Sequence, residues 1–369
     1  MILPPTPDPV VSAGLFAIFF VVLLLPFLIK KVEKNLEAFL FAMGVAAITW
    51  DTLFLKLEEG ESALLETAPN WNAGLMEKAL WDPVPITLAV LIAGLVFHYG
   101  RDRFSRGTQR VIGRVSVPVF AALVIVALGL VSSVITAIIA ALLLVEIVTA
   151  LTLDRKTEIA IVVVACFSIG LGAALTPVGE PLSTIVINTK LDEDFWYLFR
   201  EIGIYIIPGI VALGAFGAYM MRQAKQNHKT LGTVEGEKLK EVGVRAGKVY
   251  MFVMALVFLG IAFTPIIFWY IGKLGPESLF WINTSSAILD NATLASAEIS
   301  KSMTELQIDS ALMGLLIAGG MLIPGNIPNI ISAGKLDISS KEWARVGVPL
   351  GMVLMIVYFI IIFAPVWLR

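Results

Sequence analysis

The amino-acid sequence predicts an all-α polytopic membrane protein with about eight full spans, arranged as two inverted repeats. The first observation behind this prediction is composition, since 58% of the 369 residues are hydrophobic and only 15% are charged. The mean hydropathy is +0.87. Repeated apolar runs reach ~20 residues, the length that crosses a bilayer core. The second observation is a pair of similar proline-broken segments, one in each half of the chain.

Composition also excludes several classes of protein. The net charge of −2 gives no reason to expect a nucleic-acid partner. A single cysteine, Cys166, excludes an internal disulfide, and two histidines without a cysteine cluster argue against a structural metal site. We therefore expect no cofactor, and we interpret Cys166 as a small apolar packing residue.

Hydropathy predicts eight helices in order along the chain. They lie at residues 10–29, 35–56, 83–99, 157–189, 201–222, 249–271, 307–335 and 346–367. The first helix is expected to stay in the membrane with the N-terminus outside. No basic residue precedes it, and Lys30 and Lys31 follow it.

Two further apolar stretches, 115–151 and 276–303, carry small polar residues at their centres. We interpret each as a re-entrant hairpin that enters and leaves the membrane on the same side. This choice places most of the 27 basic residues on one side, which the positive-inside rule assigns to the cytoplasm. If 115–151 instead formed two full spans, Arg155 and Lys156 would stay on the same side of the membrane. The charge count therefore does not distinguish the two arrangements, and the hairpin interpretation depends on the internal repeat.

The internal repeat divides the chain into four parts. These are a two-helix prelude with an external loop at 1–82, a first repeat at 83–225, a cytoplasmic linker at 226–248, and an inverted second repeat at 249–369. Each repeat is expected to contain a helix, a hairpin, a discontinuous helix and a final helix.

The two discontinuous helices carry the similar segments, Gly172–Pro181 and Gly319–Pro328, in which one glycine, one leucine and two prolines coincide. The two prolines of each segment remove backbone donors and clash with the preceding turn, so no regular helix passes through. In a membrane such a break persists only where protein or a wet cavity surrounds it. Paired breaks at matching positions of two halves indicate the midplane binding site of a secondary transporter.

Acidic side chains inside the apolar segments indicate which ligand such a site would bind. Asp51, Glu146, Glu180 and Asp290 are of this kind, and Lys and Arg are nearly absent from the same segments. Carboxylates with hydroxyl and carbonyl oxygens, and no fixed positive charge, suit a small hard cation better than an anion. Asp51 belongs to the prelude, and we place it near the outer surface.

Each of these polar side chains also has a structural interpretation. Asp290, near the second hairpin tip, can exchange a proton for a cation, or it can cap a hairpin helix. Glu180, inside the first break, can bind an ion or bond to the backbone groups that the break frees. Asn326 and Asn329 can ligate an ion or cap the second broken helix.

The predicted ion-binding side chains therefore come from the two breaks and the two hairpin tips. They are Asp290, Asn291, Glu180, Thr176, Ser132, Ser133, Ser285, Ser286, Asn326 and Asn329. Asp290 and Glu180 are the predicted metal ligands, for a transported Na⁺. Secondary candidates are Glu146, Ser183, Thr184 and Glu298. Hydroxyls in membrane helices often bond only to their own backbone, and the two glutamates can pair with neighbours or lie near a membrane boundary.

The run from Ser285 to Asn291, Ser-Ser-Ala-Ile-Leu-Asp-Asn, precedes a helix broken by Gly, Pro and Asn, and the two together resemble the ion transporter superfamily. They are most similar to the NhaD-type sodium/proton antiporters, as a divergent cation-transporter branch. The resemblance implies a homodimer in the plasma (inner) membrane of a prokaryote, with the hairpins and discontinuous helices enclosing the substrate. The first hairpin departs from the pattern because it has no Asp-Asn pair, and the Ser-Asn-Thr signature of the dicarboxylate branch is not intact.

We therefore expect a secondary active transporter, an antiporter of a small cation (Na⁺) and protons that works by alternating access. The alternative is a sodium-coupled symporter, or an efflux permease for a small anion or oxyacid, that uses the N-termini of the broken helices. A passive channel would share the same sequence features. Motifs for intramembrane proteolysis, serine hydrolysis and zinc hydrolysis are absent from the sequence, so we do not expect an enzyme.

Overall fold

The computed structural model describes residues 6–29, 31–32, 35–55, 71–84, 87–88, 91–92, 95, 115–151, 153–184, 186–187, 191, 193–223, 239–271, 274–289, 291–299 and 303–368. These residues form helices and no strand, in agreement with the predicted all-α class.

The helices of the first half are α1 (Pro9–Leu28), α2 (Leu36–Phe54), α3 (Ala73–Trp81), α4 (Val117–Ile135), α5 (Ala137–Leu151), α6 (Arg155–Ala173), α7 (Pro181–Thr184), α8 (Tyr197–Glu201) and α9 (Gly203–Gln223). Those of the second half are α10 (Leu239–Ile266) with a π-helical turn (Ile267–Ile271), α11 (Pro276–Ile282), a 3-10 turn (Asn283–Ala287), α12 (Asn291–Glu298), α13 (Glu305–Gly319), a 3-10 turn (Ile323–Gly325), α14 (Ile327–Lys335) and α15 (Ser340–Trp367).

Seven of the described helices are long and apolar enough to cross a membrane. They are α1, α2, α4, α6, α9, α10 with its π-helical turn, and α15. The chain is therefore a multi-pass membrane protein. The predicted helix at 83–99 lies largely outside the described residues. Because α4 is long enough to span the bilayer alone, the re-entrant form of 115–151 stays a prediction.

The start of α10 differs from the prediction, which placed it at 249. The helix begins at Leu239, inside the segment predicted as a linker. Val242, Ala246 and Val249 are buried at helical spacing, so one face of this extension packs against the rest of the protein. Polar residues alternate with these apolar ones, and this lowers the mean hydropathy on which the prediction relied.

The first broken helix occupies the centre of the fold. In α6, 83% of the spanning residues are buried, compared with 33% in α15. Every residue from Ile159 to Ala173 is buried. A helix that is apolar and buried on all sides is surrounded by other helices rather than by lipid. The break that ends α6 therefore lies inside the protein.

Capping boxes begin the two helices that flank α14. Thr304 and Gln307 form a capping box at the start of α13. Ser339 and Glu342 form the same arrangement at the start of α15. Each box satisfies backbone N–H groups that a helix start leaves unpaired. These caps fix where α13 and α15 begin, before and after the second break.

Candidate functional site

Four short segments make up the candidate site. We call residues 129–137 the first tip, 172–181 the first break, 283–291 the second tip and 319–329 the second break. Ten side chains from these segments are the predicted ion-binding residues. Nine of them lie within the described residues, and Asp290 lies outside.

The first tip is bonded directly to the first break. The backbone N–H of Ala137 donates to Gly179 O over 2.9 Å. The Thr176 hydroxyl donates to Ser133 O over 2.5 Å. Between these contacts Thr136 adopts φ 75°, a backbone conformation that a β-branched residue rarely takes. The surrounding bonds hold this strained turn against the break.

Glycine allows the backbones of α4 and α6 to touch beside the first break. A Cβ added to Gly172 would overlap Gly129 O, so no other residue fits at this crossing. The Ser132 hydroxyl bridges the same crossing, 2.6 Å from Gly129 O and 3.0 Å from Ile169 O. Small residues that permit such close approach are typical of helix crossings in membranes.

The second tip lies against the second break in a similar way. A Cβ on Gly325 would lie 2.6 Å from Ser286 O and 2.6 Å from Gly319 O. The Asn291 amide nitrogen would lie 3.6 Å from a Cβ on Gly319. Each hairpin tip therefore contacts the break of its own half of the chain.

The two halves meet at their breaks. A Cβ on Gly170 would lie 2.5 Å from Asn326 Nδ2, and one on Gly320 would lie 2.5 Å from the Phe167 ring. The helix after the second tip contacts the short helix after the first break. The four segments thus converge on one buried region.

Hydroxyl groups satisfy the carbonyls that the first break frees. The Ser183 hydroxyl donates to Ala174 O over 3.0 Å, and the Thr184 hydroxyl donates to Pro177 O over 2.5 Å. Both secondary candidates therefore bond to the backbone, as the structural interpretation of these hydroxyls predicts.

An amide performs the same task at the second break. Asn329 Nδ2 donates to Gly319 O and to Leu322 O, each over 2.8 Å, and the Trp343 indole N–H donates to Gly320 O over 3.1 Å. Because both Nδ2 hydrogens of Asn329 are used, its orientation is fixed and Oδ1 points away from these carbonyls. Asn329 combines the structural role with a free acceptor.

Several buried polar atoms of the second tip and second break find no hydrogen-bond partner among the described residues. They are Asn329 Oδ1, Asn291 Nδ2, Ser285 Oγ and Ser286 Oγ. Asn326 is 4% exposed and makes no side-chain cap bond. Buried polar groups are nearly always satisfied, so atoms left over at one place indicate a bound ion, water or ligand.

Two acidic candidates differ in how the protein uses them. Glu180 in the first break is 6% exposed, so its carboxyl lies within the convergent region. Glu146 lies on α5, where it forms an ion pair with Lys335 at the end of α14. This pair joins the two halves of the chain, and it agrees with the interpretation that Glu146 pairs with a neighbour.

Asn283 and Asp309 are buried polar residues that were not predicted from the sequence. Asp309 in α13 is 7% exposed, and its Oδ1 has no partner among the described residues. It lies close enough to Glu201 and Glu305 to feel their charge. Burial, and then the charge of Glu305, raises the pKa of Glu201. Asp51 is fully buried in the last turn of α2, and its place near the outer surface stays a prediction.

A cavity of about 840 Å³ borders the second break. Its lining includes Ile323 and Ile330 from the second break and α14, and Lys240, Lys248 and Glu37 from the starts of α10 and α2. A smaller cavity touches Ile288 of the second tip and Leu322 to Pro324 of the second break. The second break is therefore adjacent to open space on the side that carries these lysines.

The described residues hold no group of three His, Cys, Asp or Glu side chains placed to bind a metal ion. A cation at the convergent region would therefore rely largely on amide, hydroxyl and carbonyl oxygens.

No curated protein matches the sequence. One family's sequence profile matches residues 12–365, nearly the whole chain. The chain therefore belongs to the family described as "Protein of unknown function (DUF1646)".

Proposed function

We propose that this protein is a secondary active transporter that exchanges a small cation, Na⁺ in the first instance, for protons. The observation that supports this proposal most is the convergence of two hairpin tips and two helix breaks on one buried polar region. Membrane helices rarely break, and a break with leftover buried polar atoms is best explained by a substrate that binds there.

The chemistry of the region favours a cation. Asn329 Oδ1, Ser285 Oγ and Ser286 Oγ supply neutral oxygens, and Glu180 supplies a carboxyl group. Asp290 follows the second tip directly and would add a second carboxyl group. Hard monovalent and divalent cations prefer such oxygen ligands. The four segments themselves contain no lysine or arginine.

The cavity beside the second break supplies an access route in one state. We infer that it opens to the cytoplasm, because Lys240 and Lys248 line it and cytoplasmic loops are rich in basic residues. In the proposed cycle the halves then shift so that the same region opens to the opposite side. The proposal includes the two inverted repeats, their re-entrant hairpins, an outside N-terminus, and a homodimer in a prokaryotic plasma membrane.

One observation favours the alternative, transport of a small anion or oxyacid. Asn291 Nδ2 is a buried donor without a partner among the described residues, and no side chain caps the N-terminus of α14. Both features attract negative charge. A sodium-coupled symporter could hold its sodium on the oxygens and its anion on these donors.

A liposome assay separates the two functions. Purified protein is reconstituted with a pH-sensitive dye inside, and Na⁺, Li⁺, K⁺ and Ca²⁺ are added in turn outside. Antiport predicts cation-evoked proton movement in the wild type. That movement should be lost in Asp290→Asn and Glu180→Gln and kept in Glu277→Gln, a variant of an exposed glutamate in α11.

Three results would count against the antiport proposal. Full activity in both carboxylate variants would remove the carboxylate mechanism. If no cation evokes proton movement by folded wild-type protein, antiport is refuted and sodium-coupled anion transport becomes the favoured function. A conductance far above transporter turnover would identify a channel instead.

A further inference from the structure

Asn283 and Glu298 form a buried pair at the two ends of the second hairpin's inner turn. Asn283 opens the 3-10 turn and is 0% exposed, and Glu298 ends α12 and is 5% exposed. Asn283 Nδ2 donates to Glu298 Oε2 over 2.9 Å and to Ala311 O over 3.1 Å. A carboxyl group is thus held in the protein interior by an amide on the opposite arm.

The orientation of this amide follows from its partners. Glu298 Oε2 and Ala311 O are both acceptors when the carboxyl is ionised, so the amide must turn its nitrogen toward them. Both Nδ2 hydrogens are then used. Asn283 Oδ1 and Glu298 Oε1 remain, and each is a buried acceptor without a donor among the described residues. In the ionised form, the pair therefore leaves two buried acceptor atoms without a hydrogen-bond donor.

A single proton on the carboxyl group removes this excess. With a proton on Oε1, Glu298 becomes a donor, and the remaining acceptor, Asn283 Oδ1, belongs to the side chain that Glu298 already contacts. A carboxylic acid and a carboxamide form a closed ring of two hydrogen bonds in this way. Burial disfavours the ionised carboxylate as well. Hydrogen bonding and burial thus favour the same protonation state.

The elements packed against α12 supply no cation that would favour the ionised form instead. These elements are α7, α10, the π-helical turn and α13. Their titratable groups are Glu305 and Asp309 on α13, Glu180 directly before α7, Tyr270 in the π-helical turn, and Lys240, Glu241, Arg245, Lys248 and Tyr250 in the first turns of α10. The basic residues of α10 all lie near its N-terminal end, because this helix carries no charged residue after Lys248. Asp290, on the same hairpin, lies outside the described residues.

We propose that Glu298 carries a proton in this structure and that it is the proton-carrying group of the exchange, with Asn283 as its positioning residue. The second half of the proposal rests on the proposed antiport function. When a monovalent cation binds between the tips and breaks, the Oε1–H bond breaks, the proton leaves to water, and the electron pair stays on the carboxylate. The buried region then has the same net charge with a proton as with a cation.

Infrared difference spectroscopy on the reconstituted protein tests the first half without any transport. At neutral pH the wild type should show the C=O stretch of a protonated, hydrogen-bonded carboxyl group. Glu298→Gln should lose this band, and Glu277→Gln, which changes an exposed glutamate of the same hairpin, should keep it. Glutamine reproduces both hydrogen bonds of the protonated acid, so the variant should fold. If no band disappears in Glu298→Gln, the proposal is overturned.

A second variant covers the case in which Glu298→Gln does not fold. Asn283→Ala removes the amide partner, so the carboxyl band should shift to higher frequency as its hydrogen bonding weakens. An unshifted band would overturn the role of Asn283 and the assignment to Glu298.

Addition of Na⁺, Li⁺, K⁺ or Ca²⁺ tests the second half of the proposal. The protonated band should diminish with the active cation while the dye reports released protons, and neither change should occur in Glu298→Gln. A band that no cation alters, in protein that performs antiport, would show that another group carries the proton. A persistent Glu298 band in protein that performs no antiport would instead refute the proposed function and leave the protonated pair standing.

Discussion

The two asparagines of the second break provide the sharpest test of the site's construction. From sequence, Asn326 and Asn329 are equivalent, because either can ligate an ion or cap a helix end. The structure distinguishes them. Asn329 Nδ2 donates to Gly319 O and Leu322 O, whereas Asn326 makes no side-chain cap bond. Asn329→Ala and Asn326→Ala remove the same atoms from nearly the same depth, at 0% and 4% exposure.

The expected difference follows from the bonds that each substitution removes. Asn329→Ala leaves two buried carbonyls without their donor, at about 1–3 kcal/mol each, so the free energy of unfolding should fall by about 2–6 kcal/mol. Asn326→Ala breaks no such bond, and we expect a loss of at most about 1 kcal/mol. Asn329→Ala should therefore destabilise the protein by at least about 1 kcal/mol more than Asn326→Ala.

The protein contains its own reporter for this measurement. Cys166 is the single cysteine of the chain and is 1% exposed, so a thiol-reactive fluorogenic dye labels it when the core opens. Labelling is followed during heating in detergent. Asn329→Ala should react at a clearly lower temperature than the wild type, and Asn326→Ala close to it. Equal transition temperatures for the two variants would refute the assignment of the carbonyl bonds to Asn329.

Three further predictions concern other parts of the structure. Gly172→Ala places a methyl group on Gly129 O and should abolish folded protein in size-exclusion chromatography, whereas Gly243→Ala, which meets nothing within 4 Å, should elute as the wild type. Exchange of the charges of Lys335 and Glu146 should restore the stability that each single reversal removes, by about 0.5–3 kcal/mol of coupling in a double-mutant cycle. A coupling of zero would mean that this ion pair does not join the halves. Asp309→Asn should unfold in the same labelling assay at no lower temperature than the wild type at neutral pH, because burial and the charges of Glu201 and Glu305 already disfavour the ionised carboxylate. A clearly lower transition temperature would contradict this explanation.

The sequence was sufficient to predict the all-α membrane class and the positions of several spans. Hydropathy measures how strongly a segment prefers a lipid or protein environment over water. It located the helices α1, α2, α6, α9 and α15 to within a few residues. The breaks were predictable too, because each combines two prolines four residues apart with nearby glycines. Single prolines carry no such signal, since Pro26 and Pro208 lie inside α1 and α9. Both signals are local, and neither depends on which segments become neighbours.

The polar contacts of the site were less accessible to sequence reasoning. Asn283 and Glu298 are partners because the chain folds back after the second tip, and the sequence does not reveal which residues then come together. Asp309 lies just inside a capping box, where an acidic residue is usual in a solvated first turn. Its burial depends on the packing of α13 against the rest of the second half. The burial of Asp51 likewise follows from neighbours that are distant in sequence.

The crossing of α4 and α6 has a mechanical consequence. At Gly129 and Gly172 two backbones touch without a side chain between them, so no change of rotamer can absorb a relative displacement. The first tip and the first broken helix must therefore move as one rigid body. Between the halves, by contrast, the Phe167 ring and the Asn326 amide fill the space, and both can rotate. The sliding surface of this protein thus lies between the two breaks, and amide exchange should be slowest at the glycine crossing.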